Sequence, residues 1–222
     1  YTEMTPHKII KSNRRTLSIS VNENAELIVR APKRATNDQI KEFITEKTNW
    51  INNKQTLIRA RLNDVKKEQN MHLYLGGLFP LKIAQTKDRE IIFNGKEFIT
   101  TTQNKDGLNL SLKSWYKKKF KEVAIPRLFY FANKHNLKIN QVRVKEQKTL
   151  WGSCSSKNNI NLNYLLIMAP LKVIDYVIIH ELVHTIHKNH SANFWKSVES
   201  IMPNYDDARH WLKENGYKLR TL

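Results

Sequence analysis

Residues 175–184 read DYVIIHELVH, an apolar run with the length of a helix that carries polar side chains into a surface with nowhere to hide them. A helix that is greasy on every side is buried in a core. His180, Glu181 and His184 therefore need partners there, because a buried polar group without one costs free energy. His180 and His184 lie four residues apart and project from one face. Any fold this chain adopts must enclose that face. Pro170 offers a start to the helix. Ser191-Ala192-Asn193-Phe194-Trp195 opens another, with Val198 and Ile201 on a shared face and Pro203 as its stop. The Phe194-Trp195 pair reads as core.

A single metal ion is the partner that this spacing suits. HExxH is a zinc-hydrolase pattern in which the two histidines bind the ion and the glutamate acts as base toward an activated water. Catalytic zinc takes three protein ligands and keeps one position open, so a third ligand must come from elsewhere. His187 lies about 10 Å along a straight helix from His180, too far to share the ion, and reads as a helix-end or supporting residue. His190 is the first choice. It follows Lys188-Asn189, where an asparagine in the left-handed conformation ends a helix and turns the chain back. Glu199, on the following helix, is the alternative. His7, His72 and His135 read as ordinary surface or core histidines.

The rest of the chain divides near residue 110 into a β-rich part, 1–110, and a helical part with a small sheet, 111–222: an α+β architecture. In the first part Thr16–Val21 alternates and Ala25–Val29 answers it, Leu73–Leu75 precedes Gly76-Gly77, and Asn94-Gly95 joins Glu90–Phe93 to Glu97–Thr100 as a hairpin. The expected sheet is mainly antiparallel. One helix, about 37–62, packs on it, opened by the Thr36–Gln39 capping box and striped by Ile40, Phe43, Ile44, Trp50, Ile51 and Leu57. In the second part Leu112–His135 is helical, bent or divided at Pro126. Val142–Val144 and Ile160–Leu162 are short strands. A turn between two strands suits Ser153, Ser155 and Asn163; the resemblance of HELVH to zincins implies instead a substrate cleft bordered by Trp151, Gly152, Ser153 and Asn163, where Ser153, Ser155 or Asn163 would donate to an oxyanion.

Composition narrows the setting. With 222 residues, 40% of them hydrophobic, the chain makes one sizeable domain or two small ones, and no apolar run approaches a membrane span. The first ten residues lack the pattern of a signal peptide. The one cysteine, Cys154, forms no intramolecular disulfide and fits a reducing cytoplasm; it reads as a packed residue rather than a regulatory metal ligand. A net charge of +18 permits nonspecific contact with nucleic acid or another polyanion. Lys113, Lys117, Lys118, Lys119 and Lys121 make one basic helix face, the simplest reading of which is solvation.

Several motifs together resemble one family. WGSCSS at 151–156, NLNYLLIMAP at 161–170, DYVIIHELVH at 175–184 and NHSANFW at 189–195 are similar to the YgjP-like metallopeptidases, zincin-like proteins related to SprT-like peptidases. RRTLSISV at 14–21, Trp50-Ile51 and YLGG at 74–77 extend the likeness to nearly the whole chain. The resemblance implies one catalytic Zn²⁺ on His180, His184 and His190, Glu181 as the catalytic carboxylate, and a peptide or protein substrate. It also implies a sheet above the active-site helix whose edge pairs with extended peptide. Two alternatives use other partners: hydrolysis of a nucleoside triphosphate at the same ion, although no GxxxxGK[ST] loop is present, and a noncatalytic polyanion-binding module.

Overall fold

Alternation in LIVRAP places Leu27, Val29 and Ala31 on one side of a strand, and these three side chains are the inner face of the amino-terminal core. The structure is a computed structural model and describes residues 4–67, 70–84, 91–102 and 104–220. The chain forms two compact units, Tyr1–Gln69 and Asn70–Leu222. The expected division near 110 is therefore corrected to 69/70. The reason is packing: Phe98 and Ile91 share a core with Leu112, Trp115 and Tyr116, so the strands before residue 110 belong with the helix after it.

In the first unit, β1 (Lys8–Ser12), β2 (Ser18–Val21) and β3 (Leu27–Pro32) make a sheet of order β1-β3-β2, and α1 (Asn37–Glu46) and α2 (Thr48–Lys67) follow. β2 and β3 are the expected hairpin, with Ser18 opposite Arg30 and Val21 opposite Leu27. β1 pairs parallel to β3, and its sequence KIIKS has no alternation to announce it. The capping box is present in both directions: Gln39 N–H donates to Thr36 Oγ1 at 3.2 Å and Thr36 N–H to Gln39 Oε1 at 3.0 Å. The single expected helix over 37–62 is two, because α1 ends at Lys47, whose N–H turns back to Ile44 and Thr45 carbonyls. Only Ile40, Ile44 and Ile51 of the stripe are buried; Trp50 and Leu57 are exposed.

The second unit opens with β4 (Met71–Tyr74), β5 (Gly77–Ile83), β6 (Ile92–Phe93) and β7 (Phe98–Thr100), in order β4-β5-β7-β6. The Asn94-Gly95 hairpin joins β6 to β7, its turn held by Asn94 Oδ1, which accepts from the Lys96 and Glu97 amides. Glu90, at the expected start of that hairpin, lies outside the described residues. α3 (Lys105–Lys134) runs unbroken through Pro126. One lost hydrogen bond is offset by burial of Phe120, Ala124 and Leu128 around it. Then come β8 (Gln141–Lys145), β9 (Gly152–Cys154) and β10 (Asn159–Asn163), a buried 3₁₀ turn (Tyr164–Met168), α4 (Leu171–Val183), α5 (Ala192–Ile201) and α6 (Tyr205–Asn215). Each sheet mixes parallel and antiparallel pairing: β1 with β3, β5 with β7 and β8 with β10 are parallel, within a first part expected to be mainly antiparallel.

Two features carry α4 to its place. The Leu75-Gly76 turn donates its amides to the Ile167 and Met168 carbonyls, just ahead of the helix. Gly76 has φ +85, and a Cβ there would meet Pro170 Cγ at 2.9 Å, so YLGG is the turn on which α4 begins. Along the helix, Arg127 on α3 grips Asp175 with two hydrogen bonds of 2.5 and 2.6 Å. Val173, Ile174, Val177, Ile178 and Leu182 fill the core behind them.

Candidate metal centre

His180 sits on the last turn of α4, and His184 is the residue that caps it. Beyond the cap the chain tightens: Thr185 and Ile186 amides donate to the Leu182 and Val183 carbonyls, and His187 N–H to Val183 O. This turn, not a left-handed Asn189, reverses the chain; Asn189 has no positive φ. His190 returns beside its predecessors, with Nε2 3.1 Å from His180 Nε2. One ligating nitrogen from each of His180, His184 and His190 lies within 4.8 Å of the others. Glu199 is exposed on α5 and outside this group, so the carboxylate alternative is set aside. Cys154 is outside it too, and its thiol pKa is raised chiefly by burial.

The donor set fits a metal ion. Two imidazole nitrogens on one tetrahedral ion at about 2.0–2.1 Å stand roughly 3.3–3.4 Å apart, close to the His180–His190 spacing. His184 Nδ1 faces the His187 carbonyl at 2.9 Å; donating there makes Nε2 the lone-pair side. His187 is thus the supporting residue expected of it, and its ring reaches Ser197 Oγ on α5 at 3.1 Å. His180 Nδ1 is buried with no hydrogen-bond partner, so what faces Nε2 decides its tautomer. Burial, with the neighbouring His184, His190 and Arg209, lowers the His180 pKa to about 3, and burial lowers that of His184. Both rings are neutral, as ligands must be.

Phe194 is the floor of the site. Its fully buried ring lies 4.9, 4.5 and 4.8 Å from the rings of His180, His184 and His190. Trp195 is half-buried and stands 5.9 Å from His180 and 5.8 Å from His190. The reading of the pair as core therefore holds for Phe194 and is corrected for Trp195. Sequence reasoning also missed α6, whose Tyr205 stacks on Trp195 and on Tyr176. Arg209 lies over the Trp195 ring at 4.7 Å. Their only signal was spacing: Tyr205 and Arg209 are four apart and share a face.

Glu181 is 5% exposed, and burial pushes its carboxyl up to about 8. The backbone of β9 lies directly on it: a Cβ on Gly152 would stand 2.6 Å from Glu181 Cγ and Oε1. Among the described residues β9 pairs only with β10, so it is an edge strand, and one of its faces lies on Glu181. The remaining expected cleft residues behave differently. Asn163 is fully buried, gives Nδ2 to the Gln147 and Leu150 carbonyls and accepts from Leu165 N–H, so it braces the turn and offers nothing to a cleft. Ser153 Oγ accepts from Asn161 across the strand pair at 3.0 Å. Ser155 Oγ accepts from Asn159 N–H within the β9–β10 turn. Trp151 packs beneath Arg220, which also donates to the Gln147 and Lys148 carbonyls. On α3, Lys113 and Lys119 pair with Glu146 and Glu122, which partly neutralises the basic face.

Three histidine nitrogens that could hold a metal ion are gathered at one point, and the buried Glu181 follows the first of those histidines in the chain. The chain belongs to the YgjP-like metallopeptidase family, whose domain matches residues 15–215. No curated protein matched the chain. Among solved structures, the metallopeptidase zymogen abylysin of Pyrococcus abyssi is 23% identical, with 40% of this chain and 93% of that one covered and a TM-score of 0.37. No helix among the described residues is long and apolar enough to cross a membrane.

Proposed function

We propose that the protein is a zinc peptidase in which His180, His184 and His190 hold the ion and Glu181 is the catalytic carboxylate. The observation that carries this reading is the gathering of the three imidazole nitrogens, with Glu181, next to His180 in the chain, buried against the edge strand. Zinc, when bound, supplies a Lewis acid and lowers the pKa of water toward about 7. The protein's own groups do the rest. Glu181, as the carboxylate, takes the proton of the attacking water and hands it to the leaving amine. The open side of β9 takes extended peptide as an added strand, with its backbone groups pairing the substrate across from Glu181. Phe194 keeps the three rings from splaying.

The test is a comparison of the zinc-loaded protein with Glu181→Gln on a peptide library. The variant is expected to keep one zinc per chain and to lose turnover by about 10²–10⁴-fold. Unchanged hydrolysis would remove Glu181 from the reaction. Equal zinc in wild type and His190→Ala would remove the third ligand.

A further inference from the structure

Outside the histidines and Glu181, the strongest chemistry near the centre is a single fixed cation. Arg209 is on α6, and its guanidinium lies over the Trp195 ring at 4.7 Å. Trp195 is itself held, stacked on Tyr205 at 5.4 Å and 18°, and Tyr205 stacks in turn on Tyr176 of α4. This aromatic row ties Arg209 to the helix that carries His180. Trp195 approaches the rings of both His180 and His190 within 6 Å. Together these separations put the guanidinium within about 11 Å of the His180 ring, about three residues of extended chain at roughly 3.3 Å each.

Of the N–H donors a guanidinium carries in its plane, those not turned toward the ring beneath it are an edge open to a planar acceptor. Among the described residues, the one carboxylate at Arg209 is Asp206, at 3.5 Å and 73% exposed, too long and too solvated to occupy that edge. The Arg209 side chain is itself 55% exposed, so an incoming ligand reaches it. We propose that Arg209 is a specificity residue that receives a carboxylate of the substrate, one to three residues from the bond being cut. This assignment rests on the peptidase reading above. Either of two groups supplies that chemistry, the carboxyl terminus of a short peptide or an Asp or Glu side chain within a longer one. Both match the fork of an arginine with two parallel hydrogen bonds.

The experiment measures binding first. In zinc-loaded Glu181→Gln, which holds peptide without cutting it, Trp fluorescence or calorimetry gives Kd for matched peptides: free acid against terminal amide, and internal Asp or Glu against Asn or Gln. The same set is then measured with Arg209→Gln and with Arg209→Lys added. A carboxylate is expected to tighten binding roughly tenfold or more over its amide partner, an advantage lost in Arg209→Gln and only partly kept in Arg209→Lys. The arm that shows the difference names the source. Hydrolysis by the Arg209 variants, with Glu181 restored, should fall for the carboxylate peptides and stay level for the amides. Peptides that are bound and cleaved with no carboxylate preference, or with a preference that survives Arg209→Gln, overturn this assignment and leave the peptidase reading standing. If no peptide is bound or cleaved by any form, both fall together.

Discussion

At the scale of the residue, the centre depends on groups whose ordinary chemistry has been displaced by burial. Glu181 in the metal-free chain has its carboxyl raised from 4.5 to about 8, so the folded state holds a proton that the unfolded state releases. The linkage sign follows: this contribution to stability is present below the unfolded pKa and is lost as pH rises through the folded one. His180 acts oppositely, because its folded pKa of about 3 against 6.5 costs stability as pH falls. His72 and His184 are lowered in the same sense, so only above about pH 7.5, where unfolded histidines are neutral too, does the Glu181 slope dominate. Metal-free wild type should therefore lose thermal stability as pH rises from about 7.5 to 8.5, while metal-free Glu181→Gln should show a flatter profile there; parallel curves would contradict this. Phe194→Ala removes the ring that touches all three histidines. It should cost about 3–5 kcal/mol in denaturant unfolding and weaken metal binding in a competitive chelator titration. Glu199→Gln should leave metal content unchanged.

At the scale of the element, β9 and α4 meet with no spare volume. Gly152→Ala must move either the strand or the Glu181 side chain, because the new methyl group would stand 2.6 Å from Cγ and Oε1. Overpacking of this kind costs about 1–3 kcal/mol, and the expected signature is a lowered Tm, retained metal and sharply reduced turnover. The glycine of WGSC is thus legible as a motif but not as a cause, since its contact comes from a strand and a helix some 30 residues apart in the chain. Arg127→Met would leave Asp175 without its two charged hydrogen bonds and loosen α4 on α3. About 1.5–3 kcal/mol of destabilisation is expected per charged hydrogen bond, read from urea midpoints. Helix ends and the hairpin were readable because their causes are local: the Thr36 capping box, Pro170 and Asn94-Gly95. The parallel strand β1, the unbroken course through Pro126 and the break at Lys47 were not, because each follows from burial decided elsewhere.

At the scale of the whole molecule, the metal centre and its supporting core lie within Asn70–Leu222, while Tyr1–Gln69 has a core of its own. A 70–222 fragment is expected to fold and to bind one metal ion per chain, measured by circular dichroism and metal analysis. A fragment that folds but binds none would show that the ligand cluster needs the first unit. By itself the sequence determined the helix that had to be buried, the two histidines at i and i+4 on it, the third histidine after it and the family, because these depend on periodicity and on residue type. Tertiary structure alone decided the division at 69/70, the seat of Glu181 beneath Gly152, the withdrawal of Asn163 from any cleft and the placing of Arg209 over Trp195 beside the histidines. Those depend on contacts between segments far apart in the chain, where the energy of packing rather than local preference selects the arrangement.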